Sequence, residues 1–520
     1  IQTQHFSLVS DVKEIGLSNM DKAIINDNIV TVINKYLGEY PHKKLIVSNI
    51  DVKNDPIYGL NQLPEFIRPF PKNFHYELKI LKNTIGNYLD NTLLLNPRKD
   101  QWLKDGIQIY FLIKYIEDNY PDMKLLGSFA DIWGLRSFHA ADLAFNEQYG
   151  LIYMHMARTN RDQPLNMAKD SLLKFNKNLA NKFKAGIGFK YLDDFLNANT
   201  LEKALKGFLV NNKIRHSSPE EFEKYLKSRI KEDIDWFFSD YVKTREKIDF
   251  KIKDIVKTED SITFTVKNLR NNKMPVSLFT LKNDTVLSKT WIENVSKSKT
   301  LTIPRNGLDK LVLNYDRNIP EYNLRNNWKS LDGFFNDKPL QLRLFKDFED
   351  PNYNQIFLMP KVEFRNIYDG LLVGGKFYNK TVLRKGFNYQ FSPHYATKSK
   401  SLTGSASLYY IQNIEKSNLF GITYGLTSSY SSYAPELFAR KFTPYITFGF
   451  RNKDDFRSNE FKSIKFRYID IDKDPDLDNI SGNNEPNYKI FNVQYIDSNP
   501  GLINYYRWFA DFQISKNFGK

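Results

Sequence analysis

The 520-residue chain has no cysteine, which excludes disulfides, thiolate metal sites and cysteine nucleophiles together. Histidine is scarce: the seven are His5, His42, His75, His139, His155, His216 and His394. No two stand four residues apart, so no helix here can offer an i, i+4 imidazole pair to a metal ion. No run approaches the ~18 consecutive apolar residues that a membrane-spanning helix needs. A G-x-S-x-G nucleophile elbow and a phosphate-binding P-loop are also missing.

Aromatic side chains are abundant instead. The 40 Phe, 31 Tyr and 6 Trp make up 15% of the chain, and these residues suit strands and membrane-interface girdles. Lys+Arg 75 against Asp+Glu 60 leave a net charge of +15, a modest surplus for this length. Basic stretches such as Lys224, Lys227, Arg229 and Lys231 carry no aromatic-basic binding motif, so they read as solvated helical faces and no nucleic-acid partner is expected. With 41% hydrophobic and 26% charged residues, disorder is excluded as a description of the whole chain. At ~100 to 200 residues per domain, the length implies about three domains.

Hydrophobic periodicity divides the chain into a helical region over 1–247, a small β-sandwich over 248–335 and a strand-rich region over 336–520. The expected fold class is multidomain α+β. Apolar residues of the first region recur at three- and four-residue spacing. Its sharpest boundary is Ser218-Pro219-Glu220-Glu221, a capping box with proline at the first helical position. Further helices are expected from about Asp105 to Ile116 and from Leu172 to Phe183. In the second region Ile262, Phe264 and Val266 alternate with Thr263 and Thr265, a strand period.

The third region alternates for longer. Leu402, Gly404, Ala406, Leu408 and Tyr410 fall on one face and Thr403, Ser405, Ser407 and Tyr409 on the other. Nine such segments are expected near 355–366, 370–379, 386–396, 402–412, 418–430, 440–451, 460–471, 487–497 and 502–515. Soluble sandwich strands average about 5 to 6 residues, whereas these run for roughly nine or ten, the lipid-out and lumen-in pattern of an outer-membrane barrel. A mean hydropathy of −0.52 is compatible with one, because barrel strands alternate. Single-chain bacterial barrels usually have even strand numbers, so nine strands imply an incomplete barrel, with further strands expected outside this chain or in another piece of it.

In the helical region Trp102-Leu103-Lys104-Asp105-Gly106 followed by Tyr110 resembles the W-L-x-E-G-x-x-x-Y signature that carries the third zinc ligand of the aminopeptidase-N-like (gluzincin) metallopeptidases. Tyr58-Gly59-Leu60-Asn61-Gln62 is similar to that family's G-x-M-E-N strand, which implies peptide binding at Gly59, Leu60, Asn61 and Gln62. Phe145-Asn146-Glu147-Gln148-Tyr149 resembles the segment whose tyrosine stabilises the oxyanion. Lys184-Ala185-Gly186 and Trp236-Phe237-Phe238 resemble the helical tail of the domain. A peptidase-like domain joined to a barrel resembles a group of outer-membrane proteins from Bacteroidota, which implies an outer-membrane location with a periplasmic soluble domain. The resemblance spans roughly residues 46–327.

The departures from that pattern remove its chemistry. Where the H-E-x-x-H helix is expected stands Tyr76-Glu77-Leu78-Lys79-Ile80-Leu81-Lys82. The ligand positions therefore hold Tyr76 and Ile80, or Leu78 and Lys82, and neither pair can hold zinc. Asp105 replaces the family's third-ligand Glu, and Asn61 replaces the carboxylate that would bind a substrate's amine. The expectation is a pseudo-peptidase without zinc or other cofactor. Its partners would be outer-membrane lipid, other envelope proteins in a hetero-complex such as one for outer-membrane protein assembly or export, and peptide or unfolded protein. The alternatives are an active zinc aminopeptidase, and a porin or transporter with a periplasmic gate. His75 with Glu77 and Asp105 is a weak zinc design. Asp470, Asp472 and Asp474 alternate in an expected loop and form a weak calcium candidate, lacking the glycine and bidentate Glu of a calcium loop.

Overall fold

The computed structural model describes residues 1–57, 64, 67–196, 199–331, 338–478, 480–481 and 487–515. The chain is a mixed α+β protein of two compact units, Ile1–Ala157 with Asp162–Asp337, and Arg158–Arg161 with Lys338–Lys520.

The first unit opens with β1 (Ser7–Ser10), α1 (Asn19–Leu37), β2 (Lys44–Val47) and α2 (Asn49–Asn54). Ser18 and Ser48 begin the two helices with capping boxes to Asp21 and Asp51, each satisfying amides that lack a helical partner. Then come α3 (Lys72–Thr92), β3 (Leu93–Leu94), α4 (Gln101–Asn119), α5 (Glu147–Arg158), α6 (Asn181–Leu196), α7 (Thr200–Asn211), β4 (Arg215–His216) and α8 (Pro219–Arg229). The capping box at Ser218 and Glu221 starts α8 as expected. The helix expected from Leu172 to Phe183 starts later, passes through a π-turn at Asn176–Ala180 and continues as α6 to Leu196.

Two glycines set the spacing of α4 and α6. A Cβ on Gly106 would lie 2.4 Å from Phe189, and one on Gly186 would lie 2.2 Å from Ile109. Each helix thus yields space to a large side chain of the other. Trp102 completes the contact by stacking on Phe189 at 6.3 Å between ring centroids.

The same unit contains a sandwich built from β5 (Phe250–Lys257), β6 (Ser261–Asn268), β7 (Val276–Lys282), β8 (Thr285–Ile292), β9 (Ser298–Pro304), β10 (Lys310–Leu313) and β11 (Trp328–Ser330). One sheet has the order β5-β6-β9 and the other β11-β10-β7-β8. Ile252, Ile262, Phe264 and Val266 from the first sheet share one core with Val276, Leu278, Ile292 and Leu311 from the second, and with the helices.

Glu321 is buried within that core and accepts from the Phe250 amide at 2.7 Å and from Asn327 Nδ2 at 2.6 Å. Burial pushes its carboxyl up to about 8 despite these donors. A raised acid contributes stability that is complete below its unfolded value and lost as the pH rises through its folded value. The urea midpoint of the first unit is therefore expected to fall between about pH 5 and pH 8. Glu321→Gln should flatten that slope, and an unchanged slope in the variant would contradict the assignment.

The second unit is one ten-stranded sheet: β12 (Leu340–Leu344), β13 (Asn354–Phe364), β14 (Leu371–Tyr378), β15 (Phe387–Ala396), β16 (Ser401–Asn413), β17 (Leu419–Ala434), β18 (Leu437–Phe450), β19 (Phe461–Lys473), β20 (Tyr488–Asn499) and β21 (Tyr506–Ser515), in sequential order. The nine alternating segments of the sequence are β13 to β21. Two features differ from the expected barrel. β12 adds a tenth strand, parallel to β13, which the sequence hid because five residues of alternation look like a connector. The sheet is also open among the described residues, since β12 and β21 are its two edges and do not pair.

Its two faces are inverted relative to a soluble sheet. Leu402 is 74% exposed, whereas its neighbour Thr403 is 5% exposed. Tyr395, Leu402, Leu408, Tyr410, Tyr424, Phe442, Phe491, Trp508, Phe512 and Ile514 are all exposed, and the register carries this apolar set from strand to strand. On β19 the outward residues Ile464, Phe466 and Tyr468 stand between Lys462 and Asp470, whose register partners on β20 are Asp497 and Lys489. At ~3.4 Å per residue, the stretch from Lys462 to Asp470 is ~27 Å of strand before tilt, close to the ~25 Å height of a lipid-facing band.

Arg158–Arg161 is held within this unit. Asn160 Nδ2 donates to the carbonyls of Ile414 at 2.8 Å and Phe420 at 3.0 Å, and Arg158 pairs with Glu349 at 2.9 Å.

Candidate functional site

The helices α3 and α4 carry the residues that the sequence singled out. Tyr76 faces α1, with Lys22 Nζ 5.9 Å from its ring, and Ile80 is fully buried in the core. Glu77 accepts from Tyr115 Oη at 2.9 Å and Tyr120 Oη at 2.6 Å. Tyr115 is ten residues beyond Asp105 on α4, about 15 Å along the axis at ~1.5 Å per residue. Glu77 and Asp105 are therefore not brought together. His75 lies instead with Glu14, its Nδ1 3.9 Å from the carboxylate, while Lys79 reaches the other oxygen at 2.5 Å. The trio of His75, Glu77 and Asp105 does not assemble.

Lys82 of α3 lies within electrostatic reach of Asp105. Gln108, one turn beyond Asp105, donates to the Lys82 carbonyl at 2.7 Å. Gly86, one turn beyond Lys82, faces the same glutamine, whose Nε2 would lie 2.8 Å from a Cβ there. The i, i+4 pair opposite Asp105 is thus Lys82 and Gly86. The sequence alone offered Tyr76 with Ile80 or Leu78 with Lys82, because it does not set the axial register between two helices.

The Lys82 ammonium donates to Asp55 Oδ1 at 2.9 Å and to the carbonyls of Asp55 and Pro56 at 3.0 and 3.1 Å. These contacts use all three of its donors. Lys182 bridges Asp55 at 2.8 Å and Asp105 at 3.9 Å, and Asp105 also accepts from Gln101 Nε2 at 2.9 Å. Burial pulls the Lys82 ammonium below its ordinary value, with Asp55 opposing. Burial alone would raise Asp55, but Lys82 and Lys182 outweigh it and hold the carboxyl at about 2. Lys169 adds a further positive charge within electrostatic reach of Asp105.

Two carboxylates facing two ammoniums are already neutralised, and these residues do not fit a zinc ion. Charges of like sign at 4 Å repel by about 4 kcal/mol per unit pair at an effective dielectric of ~20, so a dication beside Lys82 and Lys182 is strongly disfavoured. Among the described residues, no three His, Asp or Glu side chains converge as metal ligands would.

Tyr149 is buried edge-on to Phe183 at 4.8 Å, and its hydroxyl has no hydrogen-bond partner among the described residues. Burial raises its phenol well above the usual range. Gly59, Leu60, Asn61 and Gln62 lie outside the described residues. Asp470 and Asp472 lie in β19 rather than in a loop, each beside a different partner: Lys489 at 3.7 Å from Asp470, and Asn487 Nδ2 at 2.9 Å from Asp472. Asp474 accepts the Phe438 amide at 2.9 Å. The three carboxylates serve separate contacts.

Sequence reasoning missed Asp55 and Lys182. Nothing in their local sequence distinguishes them from solvated charges. It also gave Lys184 no role beyond a motif match. Lys184 is buried between the rings of Tyr153 and Tyr241, at 5.6 and 5.3 Å, and burial draws it down to about 8. The nearby Asp162 pairs with Lys247 at 2.9 Å and Arg245 at 3.2 Å, a second buried ionic cluster of the helical unit.

No family model matches the chain, and no curated protein matches it. Among solved structures it is similar to the crystal structure of Legionella pneumophila aminopeptidase A in complex with aspartic acid, at 8% identity and a TM-score of 0.42, over 58% of this chain. The chain spans about a third of that protein, 34% of its length.

Lys82→Ala leaves Asp55 and Asp105 short of a counter-charge, and the expected cost is about 3 kcal/mol in urea unfolding followed by tryptophan fluorescence. Lys104→Ala, which removes an ion pair to the exposed Asp90, should cost less than about 1 kcal/mol. Equal costs would mean that the Lys82 pair is not structural.

Proposed function

We infer that the chain is an outer-membrane protein whose helical unit keeps a peptidase-like plan without peptidase chemistry, and that it serves as a binding or scaffold subunit of an envelope complex. The observation that carries the loss of chemistry is the Lys82 ammonium, bonded to Asp55 and opposed to Asp105 with Gly86 at i+4. A lysine and a glycine in those positions supply neither ligands for zinc nor a base to activate water. No cofactor is proposed. Peptide or unfolded protein, held without being cut, is the proposed occupant of the helical unit, with other envelope proteins as its lasting partners and the periplasm as its compartment.

The outward apolar face supports the membrane part of this reading. An open, exposed band of Leu, Phe, Tyr and Trp across ten strands is costly in water and stable in lipid, with flanking charges such as Lys462 and Asp470 at the headgroups. Closure of the barrel would require strands beyond the ten described. The inward face, with Thr403, Ser405, Thr447, Lys465 and Arg467 set opposite the apolar one by strand alternation, keeps a transport role open as a second reading. Ion conductance in planar bilayers would support it.

Metal analysis of the purified protein is expected to find no stoichiometric zinc, and an aminoacyl reporter should not be hydrolysed in a chelator-sensitive way. Stoichiometric zinc with such hydrolysis would establish the alternative, an active zinc aminopeptidase anchored in the outer membrane. Phe442→Arg on the outward face should cost about 2 to 4 kcal/mol of membrane stability and deplete the protein from the outer-membrane fraction. Normal accumulation there would count against a lipid-facing sheet.

A further inference from the structure

The β8 edge of the sandwich is unpaired among the described residues, and Thr285 to Thr290 are exposed in one run. Natural sheet edges are guarded by charges, prolines or bulges. β8 has one charge, Lys289, whose ammonium is engaged by Asp194 and Asp316, and one bulge, at Leu287, where its register to β7 shifts. Val286 and Leu287 stand 41% and 49% exposed. From Ser288 to Ile292 the register is regular, and there a row of main-chain donors and acceptors is available to a partner strand.

Beside this edge the sandwich is not filled. The inward positions of β8 next to Ile292 are Ser288 and Thr290, opposite Thr280 and Leu278. On the facing sheet, Leu301 and Ile303 of β9 are the register partners of Phe264 and Ile262, and β9 is also an unpaired edge among the described residues. Between the two edges lies a cleft of about 410 Å³ lined by Leu287, Trp291, Ile292, Leu301, Ile303 and Leu308. Protein interiors are close-packed, so an apolar cleft of this size at an open edge has room for side chains from outside. The buried Nε1 of Trp291, a residue of the lining, has no hydrogen-bond partner among the described residues. Among the described residues Lys299 is the one charged residue of the lining, and its ammonium donates to the Glu293 carbonyl at 3.2 Å, which leaves its charge without a carboxylate in the lining.

We propose that this edge and cleft bind an extended peptide strand with apolar residues at every second position and an adjoining acidic residue. The strand adds to β8 through main-chain hydrogen bonds, its alternate apolar side chains enter the cleft, and its carboxylate lies near Lys299. Edge pairing requires a backbone in extended conformation, which selects a strand over a helix or a small molecule. The period of two matches the pleat of β8. This site is independent of the Lys82 cluster and needs no peptidase ancestry.

The test uses the full chain in amphipol and a fluorescein-labelled nine-residue peptide of alternating Val and Thr with a terminal Glu, read by fluorescence anisotropy. Saturable binding is expected. Two versions of the peptide, N-methylated at odd or at even residues, separate edge pairing from greasy adhesion. Only one set of amides faces β8, so one version should lose about tenfold in affinity, as expected for two or more hydrogen bonds, while the other binds nearly unchanged. Leu301→Arg, which drives a guanidinium into the cleft, should abolish binding with the thermal melt preserved. No saturable binding by the unmethylated peptide, or the same response to both methylated sets, would overturn the proposal. The methylation comparison uses unmutated protein and stands even if Leu301→Arg misfolds.

Discussion

The buried ammonium of Lys82 ties together four parts of the helical unit. It bonds to the turn after α2 through Asp55 and Pro56, shares Asp55 with Lys182 of α6, and sits on the turn of α3 whose carbonyl Gln108 of α4 engages. An ion buried this deeply is tolerated only with its donors satisfied and its charge opposed. Both conditions hold, and meeting them uses the carboxylates that a metal would need.

The α4–α6 contact reinforces this arrangement. Gly106 and Gly186 let the two helices approach closely, which brings Lys182 at the start of α6 to Asp105 near the start of α4. Gly106 belongs to a segment that resembles a zinc-ligand signature in the sequence and Gly186 to one that resembles the helical tail of the domain, yet in the fold both act as packing elements. A Cβ at either position would collide with a core side chain, so the close helix spacing requires glycine at both.

The second unit follows a different rule. Its order comes from main-chain pairing between neighbouring strands, and its side chains divide by face rather than by depth. Inversion of the usual faces, with Leu402 outside and Thr403 inside, is the physical basis for proposing a lipid surroundings. The sandwich of the first unit obeys the soluble rule, except at β8 and β9, where the core runs out before the sheets close.

Much of this was legible in the primary structure. Period-two alternation is local, so Leu402 to Tyr410 announced β16, and the other long strands followed in the same way. The Ser218 and Glu221 capping box is equally local and marked α8. β12 was not legible, because its partner β13 makes it a strand and its own five residues do not. Nor was the ionic site: Asp55, Lys82, Asp105 and Lys182 lie on four separate segments, and only packing makes them neighbours.

By itself the sequence determined that no helix could offer an i, i+4 imidazole pair to a metal ion, that the last third of the chain would be long alternating strands, and that one face of them would be apolar. Those are properties of residue type and short-range spacing. Tertiary structure alone decided that Lys82 and Gly86 face Asp105 in place of Tyr76 and Ile80, since the axial offset between two packed helices depends on what fills the space between them. It also decided that, among the described residues, the β8 and β9 edges of the sandwich stay unpaired beside a cleft, because pairing is a relation between distant segments that neither encodes separately.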